Sequence, residues 1–258
     1  MYVSLYRSTP IGTHQLPSEL QLILGDQAKE NKLLDFATHY QIQSLSLYDL
    51  HHILPARNRA LATFITKASQ RYIKVSAVVG GNHDVAKLGS YQEGHHGTER
   101  FAGIVTEFEF WNSGKYPEFI ALVKGIAASH ALQDLPIAAY VGNRSVVRQN
   151  AKPIADNVHQ IFLACYAVSP SQAAQATKDT RRSFNGLPVE VIPIFSAEGK
   201  TGRAGGEFFM GDWLRSQKAR YPNQNPLKTA ESEFNAIAGE VIQSYQYYEY
   251  AFMYHHLQ

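Results

Sequence analysis

Two glutamates, Glu107 and Glu109, stand near the end of the apolar run Phe101-Ala102-Gly103-Ile104-Val105-Thr106-Glu107-Phe108-Glu109-Phe110-Trp111. In an extended chain successive side chains alternate between faces, so the two acids share one face and Phe108 and Phe110 share the other. Acids on the inner face of a sheet have no packing purpose. Burial and a neighbouring like charge each disfavour ionisation, so such a pair divides into an acid that holds a proton and one that does not. Glycosidic-bond hydrolysis uses that division. The structural alternative for the same pair is a salt-bridge network inside a barrel.

Something must hold this run with its C-terminal end open. Short β-like runs alternate with helix-like stretches along the whole chain, the pattern of parallel strands joined by crossover helices. Strands are expected at 2–6, 43–48, 73–79, 103–110, 136–141, 160–166, 189–195 and 248–254. Eight strands in order, with no polar linker between halves, predict one (β/α)8 TIM barrel domain over 1–258, a length typical of that fold. Apolar residues at helical spacing mark helices over 30–37, 60–65, 116–128 and 229–244. Only about 20 residues, rich in Gly and His, join strands three and four, so the third helix is expected to be short or missing. A long loop is expected after strand seven, from 196 to 226, with five glycines and the aromatics Phe208, Phe209 and Trp213. In a barrel that loop lies on the catalytic face, where Trp213 would cover a ligand or pin the loop to the rim.

The same frame nominates other residues at strand ends: Tyr6 and Arg7, Tyr48 and Asp49, Asn82 to Asp84, Trp111, Asn143 and Arg144, and Tyr254. Of these, Tyr6, Tyr48, Asn82, Trp111, Asn143, Trp213 and Tyr254 are the expected substrate-binding residues, suited to stacking on or hydrogen-bonding a sugar. Composition narrows the partners. A net charge of +2 argues against a nucleic-acid surface. No apolar run approaches the ~18 residues of a membrane span, and Met1-Tyr2-Val3-Ser4 lacks the basic and apolar regions of a signal peptide. The single cysteine, Cys165, lies in the apolar run 161–165 and reads as a buried structural thiol. No cofactor and no metal site is expected.

The strand-four run resembles the signature of glycoside hydrolase family 18, which includes chitinases and endo-β-N-acetylglucosaminidases. The family's Asp-Gly-x-Asp-x-Asp-x-Glu aligns without a gap on Ala102-Gly103-Ile104-Val105-Thr106-Glu107-Phe108-Glu109. Ser76-Ala77-Val78-Val79-Gly80-Gly81 is similar to the family's strand three, and Cys165-Tyr166-Ala167 to its strand six without the final Asp. The resemblance implies an oligosaccharide substrate containing N-acetylglucosamine, of chitin or N-glycan-core type, a substrate-assisted retaining mechanism and a secreted or extracytoplasmic setting. Glu109 would be the general acid, Glu107 would orient the 2-acetamido group, and Tyr166 would hydrogen-bond its oxygen. Two departures follow: Val105 stands where the family has an acid, and Glu107 replaces a shorter Asp.

Two rival readings stay open. A carbohydrate-binding barrel without turnover would keep the aromatic mouth and tolerate Val105. A dinuclear metallophosphoesterase is suggested by Asp49-Leu50-His51, Gly81-Asn82-His83-Asp84 and Gly94-His95-His96. The order of motifs opposes it, since the Gly25-Asp26 pair precedes Asp49, and the paired histidines lack the i, i+4 spacing of a helical metal site.

Overall fold

A computed structural model describes residues 1–6, 21–197, 209–248 and 256–257. Eight parallel strands close on one another in sequence order, the (β/α)8 barrel that alternation predicts. They are β1 (Tyr2–Ser4), β2 (Ser44–Tyr48), β3 (Lys74–Val79), β4 (Gly103–Thr106), β5 (Ile137–Val141), β6 (Gln160–Ala164), β7 (Glu190–Ser196) and β8 (Gln246–Tyr248). Helices α1 (Gln27–His39), α2 (Asn58–Gln70), α3 (Asn82–Glu93), α4 (Phe110–Ser113) and α5 (Tyr116–Ala128) lie in the first half. The second half carries α6 (Ser145–Gln149), α7 (Ala151–Ala155), α8 (Pro170–Ala176), α9 (Lys178–Arg182), α10 (Gly211–Arg220) and α11 (Pro226–Ala238).

The two-residue period of the strands splits the core in two. Leu45, Leu47, Val75, Ala77, Ile104, Ala139, Ile161 and Leu163 face the helices and join one large apolar cluster. Tyr2, Tyr48, Val78, Val105, Tyr140, Phe162 and Ile194 face inward and fill the barrel as a second cluster. Inward side chains thus form a packed interior rather than a pore. That packing leaves the C-terminal strand ends as the place where polar side chains can gather.

Several boundaries depart from the sequence expectation. The third helix is neither short nor missing: α3 runs twelve residues, directly from Gly81 to Gly94. Leu88, Tyr91 and Gln92 bury its inner face, and Gly89 lies where a Cβ would sit 3.8 Å from the Cβ of Ala131. The glycine lies inside the helix, facing the turn at Ala131 with room for a methyl group, and is not a loop signal. α11 stops at Ala238, because Gly239 takes the left-handed conformation (φ 69°) that terminates helices. The connection after β7 contains the ten-residue α10, with Met210 and Leu214 buried. Residues 198–208, including the loop glycines before α10 and Phe208, lie outside the described residues. β8 begins at Gln246, two residues early, and 249–254 also lie outside them. Among the described residues no helix is long and apolar enough to cross a membrane.

Candidate active site at the ends of strands two, three and four

β4 leaves the sheet sooner than expected, at Thr106. The Glu107 amide still donates to Val79 O across the β3–β4 register at 2.9 Å, so Glu107 keeps the inward parity of Val105. The chain then turns within three residues. The Phe110 amide donates to Phe108 O at 2.7 Å, with Glu109 at the apex (φ −71°, ψ 59°), the geometry of an inverse γ-turn. Phe110 is buried against Phe119 in the outer core, which fixes where the turn ends. Alternation between the two faces therefore survives the end of the strand. Glu107 and Glu109 both open into one cavity of about 330 Å³, while Phe108 and Phe110 pack on the helix side.

The rest of that cavity comes from the two preceding strands. The end of β2 and the turn after it supply Tyr48, Asp49 and His51; the end of β3 and the residue after it supply Val78 and Gly80; the first turn of α3 supplies Asp84. Tyr48 is buried and forms a wall between the cavity and the inner core. Asp49 adopts a left-handed conformation (φ 60°), tolerable for Asp, as the chain turns out of β2. Asp84 reaches back so that its Oδ2 accepts the Gly80 N–H at 3.0 Å. Among the described residues four carboxylates line the cavity, and neither Lys nor Arg does. Below it, burial pushes the Tyr2 hydroxyl well above the ordinary tyrosine value, with the nearby charges of Glu107 and Tyr140 adding to the effect.

The sequence-predicted residues are brought together only in part. Glu107, Glu109 and Tyr48 share the cavity. Tyr166 and Trp111 pack on the inner cluster beside it: Tyr140 OH donates to Tyr166 OH at 3.2 Å, and Trp111 meets Tyr140 edge-on at 5.4 Å between ring centres. Tyr6 instead stacks on His52, with Arg57 over its ring. Asn82 is exposed on α3 and does not line the cavity. Asn143 is tied sideways, donating to Ala176 O at 2.8 Å and accepting from Thr180 Oγ1. Trp213 packs against the outer core. Arg7 and Tyr254 lie outside the described residues.

Sequence reasoning favoured Asn82 where the cavity takes Asp84. A legible signal existed: an acid at the third position of a helix can reach back to the amides before its first turn. Of the metal motifs, Asp49, His51 and Asp84 reach the cavity, while Gly94-His95-His96 does not line it. His83 is largely exposed, His95 Nδ1 sits 2.8 Å from Tyr91 O, and His52 lies on Tyr6. Among the described residues no three His, Cys, Asp or Glu side chains are grouped to hold a metal ion.

No family model matches the chain, and no curated protein matches it. Solved structures do. A glycoside hydrolase family 17 β-1,3-glucanosyltransferase from Rhizomucor miehei superposes with a TM-score of 0.56 at 9% identity, over 96% of this chain and 85% of that one. The likeness is one of fold. A chitinase from Ipomoea carnea aligns more loosely, with a TM-score of 0.49 at 12% identity over 89% of this chain and 93% of that one. A monomeric dihydrodipicolinate synthase variant follows at 0.44 and 15% identity, over 90% and 77%.

Proposed function

We propose that this barrel is a glycoside hydrolase acting on N-acetylglucosamine-containing glycans, of chitin or N-glycan-core type, by a substrate-assisted retaining mechanism. The observation that carries the reading is the single cavity onto which Glu107 and Glu109 both open at the end of β4. Catalytic groups of such barrels come from strand ends on this face. The Rhizomucor miehei glucanosyltransferase supports it to the extent that an enzyme of glycosyl transfer is built on the same fold. In the proposed reaction the 2-acetamido oxygen bonds to the anomeric carbon as the glycosidic C–O bond breaks. Glu109 gives its proton to the departing oxygen, then accepts one from the water that reopens the ring intermediate. Glu107 accepts a hydrogen bond from the acetamido N–H, and the Tyr166 hydroxyl donates to the acetamido oxygen.

Fluorogenic chitobiosides and high-mannose N-glycans assayed with the wild type and Glu109→Gln test this. Turnover should fall by ~100-fold or more in the variant, the scale of losing general-acid catalysis. Equal behaviour of the two proteins on every acetamido sugar would reject the assignment. One observation favours a second reading, a glycan-binding barrel without turnover. Val105 is sealed in the inner core beneath Glu107, so the position below that carboxylate offers no acid. Calorimetric binding of chitooligosaccharides with no product after long incubation would select that reading.

A further inference from the structure

We infer that Asn112 is a positioning residue for Glu109, fixing which of its two carboxyl oxygens presents a proton to the cavity. The inference rests on the glycosidase reading of the site. Asn112 Nδ2 donates to Glu109 Oε2 at 2.8 Å. An oxygen that accepts this hydrogen bond is turned toward α4 and serves as an acceptor there. In the proposed reaction the transferable proton would therefore be carried on Oε1, the oxygen that does not take this hydrogen bond. The carbonyl of the same residue is held as well: the amides of Asn112 and Ser113 reach Glu109 O at 3.1 and 3.3 Å, and Ser113 Oγ at 3.2 Å. Both ends of Glu109 are thus tied to one four-residue helix.

That helix is itself anchored by the two residues that precede Asn112. Phe110 is fully buried against Tyr116 and Phe119. Trp111 lies so close over Gly142 that a Cβ there would stand 2.5 Å from the indole Nε1. Gly114, in the left-handed region (φ 71°), closes the turn. Asn112 is exposed, so nothing in the core depends on it. A polar side chain directly after two anchored aromatics, aimed back at the proposed acid, has geometry suited to orienting that acid and little to stabilising the fold.

The experiment compares Asn112→Ala, Asn112→Asp and Asn112→Gln on two classes of N-acetylglucosaminide: aryl glycosides with a strongly acidic phenol as leaving group, and natural oligosaccharides whose leaving group is a sugar alcohol. Protonation matters little for the first class and governs the second. Ala and Asp, which lose the N–H donor, should lower kcat about tenfold on oligosaccharides with KM little changed, a misplacement-sized loss. On the activated aryl glycosides the loss should stay within about threefold, and Gln, which keeps a donor, should recover much of the difference. Urea midpoints should match wild type in all three. Equal losses on both classes, or no loss on either, would overturn the positioning role while leaving the glycosidase reading standing. A wild type that turns over no acetamido sugar would overturn both.

Discussion

At the scale of single residues, Val105 shows why the strand-four motif cannot be restored by substitution alone. Its side chain is 1% exposed and packs in the inner cluster with Tyr2, Val78 and Phe162. Val105→Asp would put a carboxylate into that apolar layer, close beneath the negative Glu107. An uncompensated buried charge costs about 3–5 kcal/mol, so urea unfolding should show a loss of that order and no gain in activity. A loss under about 1 kcal/mol would mean that water reaches the layer. Cys165 offers a cleaner residue-level test. Burial pushes its thiol up to about 12, outweighing the Thr177 hydrogen bond and the nearby Arg181 charge that pull it down. The thiolate is the reactive form, so a thiol reagent at neutral pH should label Cys165 only after denaturation. Rapid labelling of the folded protein would contradict the packed position seen here.

At the scale of elements, the contact between α4 and the end of β5 carries the geometry of the site. Gly142→Ala would force its new Cβ against the Trp111 indole, backed by Tyr140. The indole cannot retreat without moving α4 and with it Glu109. The expected result is about 1–3 kcal/mol of destabilisation with an altered tryptophan emission, the cost of overpacking. An unchanged midpoint and spectrum would show that α4 is free to shift. This contact also marks where the sequence stopped being informative. The strands were legible because alternation repeats on every one of them, and seven of the eight lie within a few residues of expectation. Glu107 and Glu109 were legible for the same reason. Beyond the strand ends the determinants are single contacts between distant segments, such as Asp84 on the Gly80 amide, Asn143 on Ala176 or Trp111 on Gly142. No period encodes these. Glycine misled in one direction only: Gly89 read as loop because composition cannot distinguish a loop glycine from one inside a buried helix face.

At the scale of the whole molecule, the 15 tyrosines tie the stability of the barrel to alkaline pH. Burial raises the hydroxyl values of Tyr2, Tyr91, Tyr245 and Tyr247 above the ordinary value, with nearby carboxylates adding in each case. These four are spread across β1, α3, and β8 with the segment leading into it, so they report on the closure of the barrel rather than on one corner of it. In the fold each holds its proton more tightly than in the unfolded chain, where the value is near 10. Their contribution is therefore fully present below that pH, and it is lost as pH rises above it and the unfolded state releases protons that the folded state keeps. The barrel should hold its structure through neutral pH and then lose it steeply above about pH 10, where tyrosinate becomes the favoured form of the unfolded chain. Far-ultraviolet circular dichroism followed together with tyrosinate absorbance checks this. The absorbance of the buried tyrosines should appear only as the helical signal disappears. If these tyrosines ionise while the helical signal is intact, the packing around them is open to solvent, and the burial that raises their values is wrong.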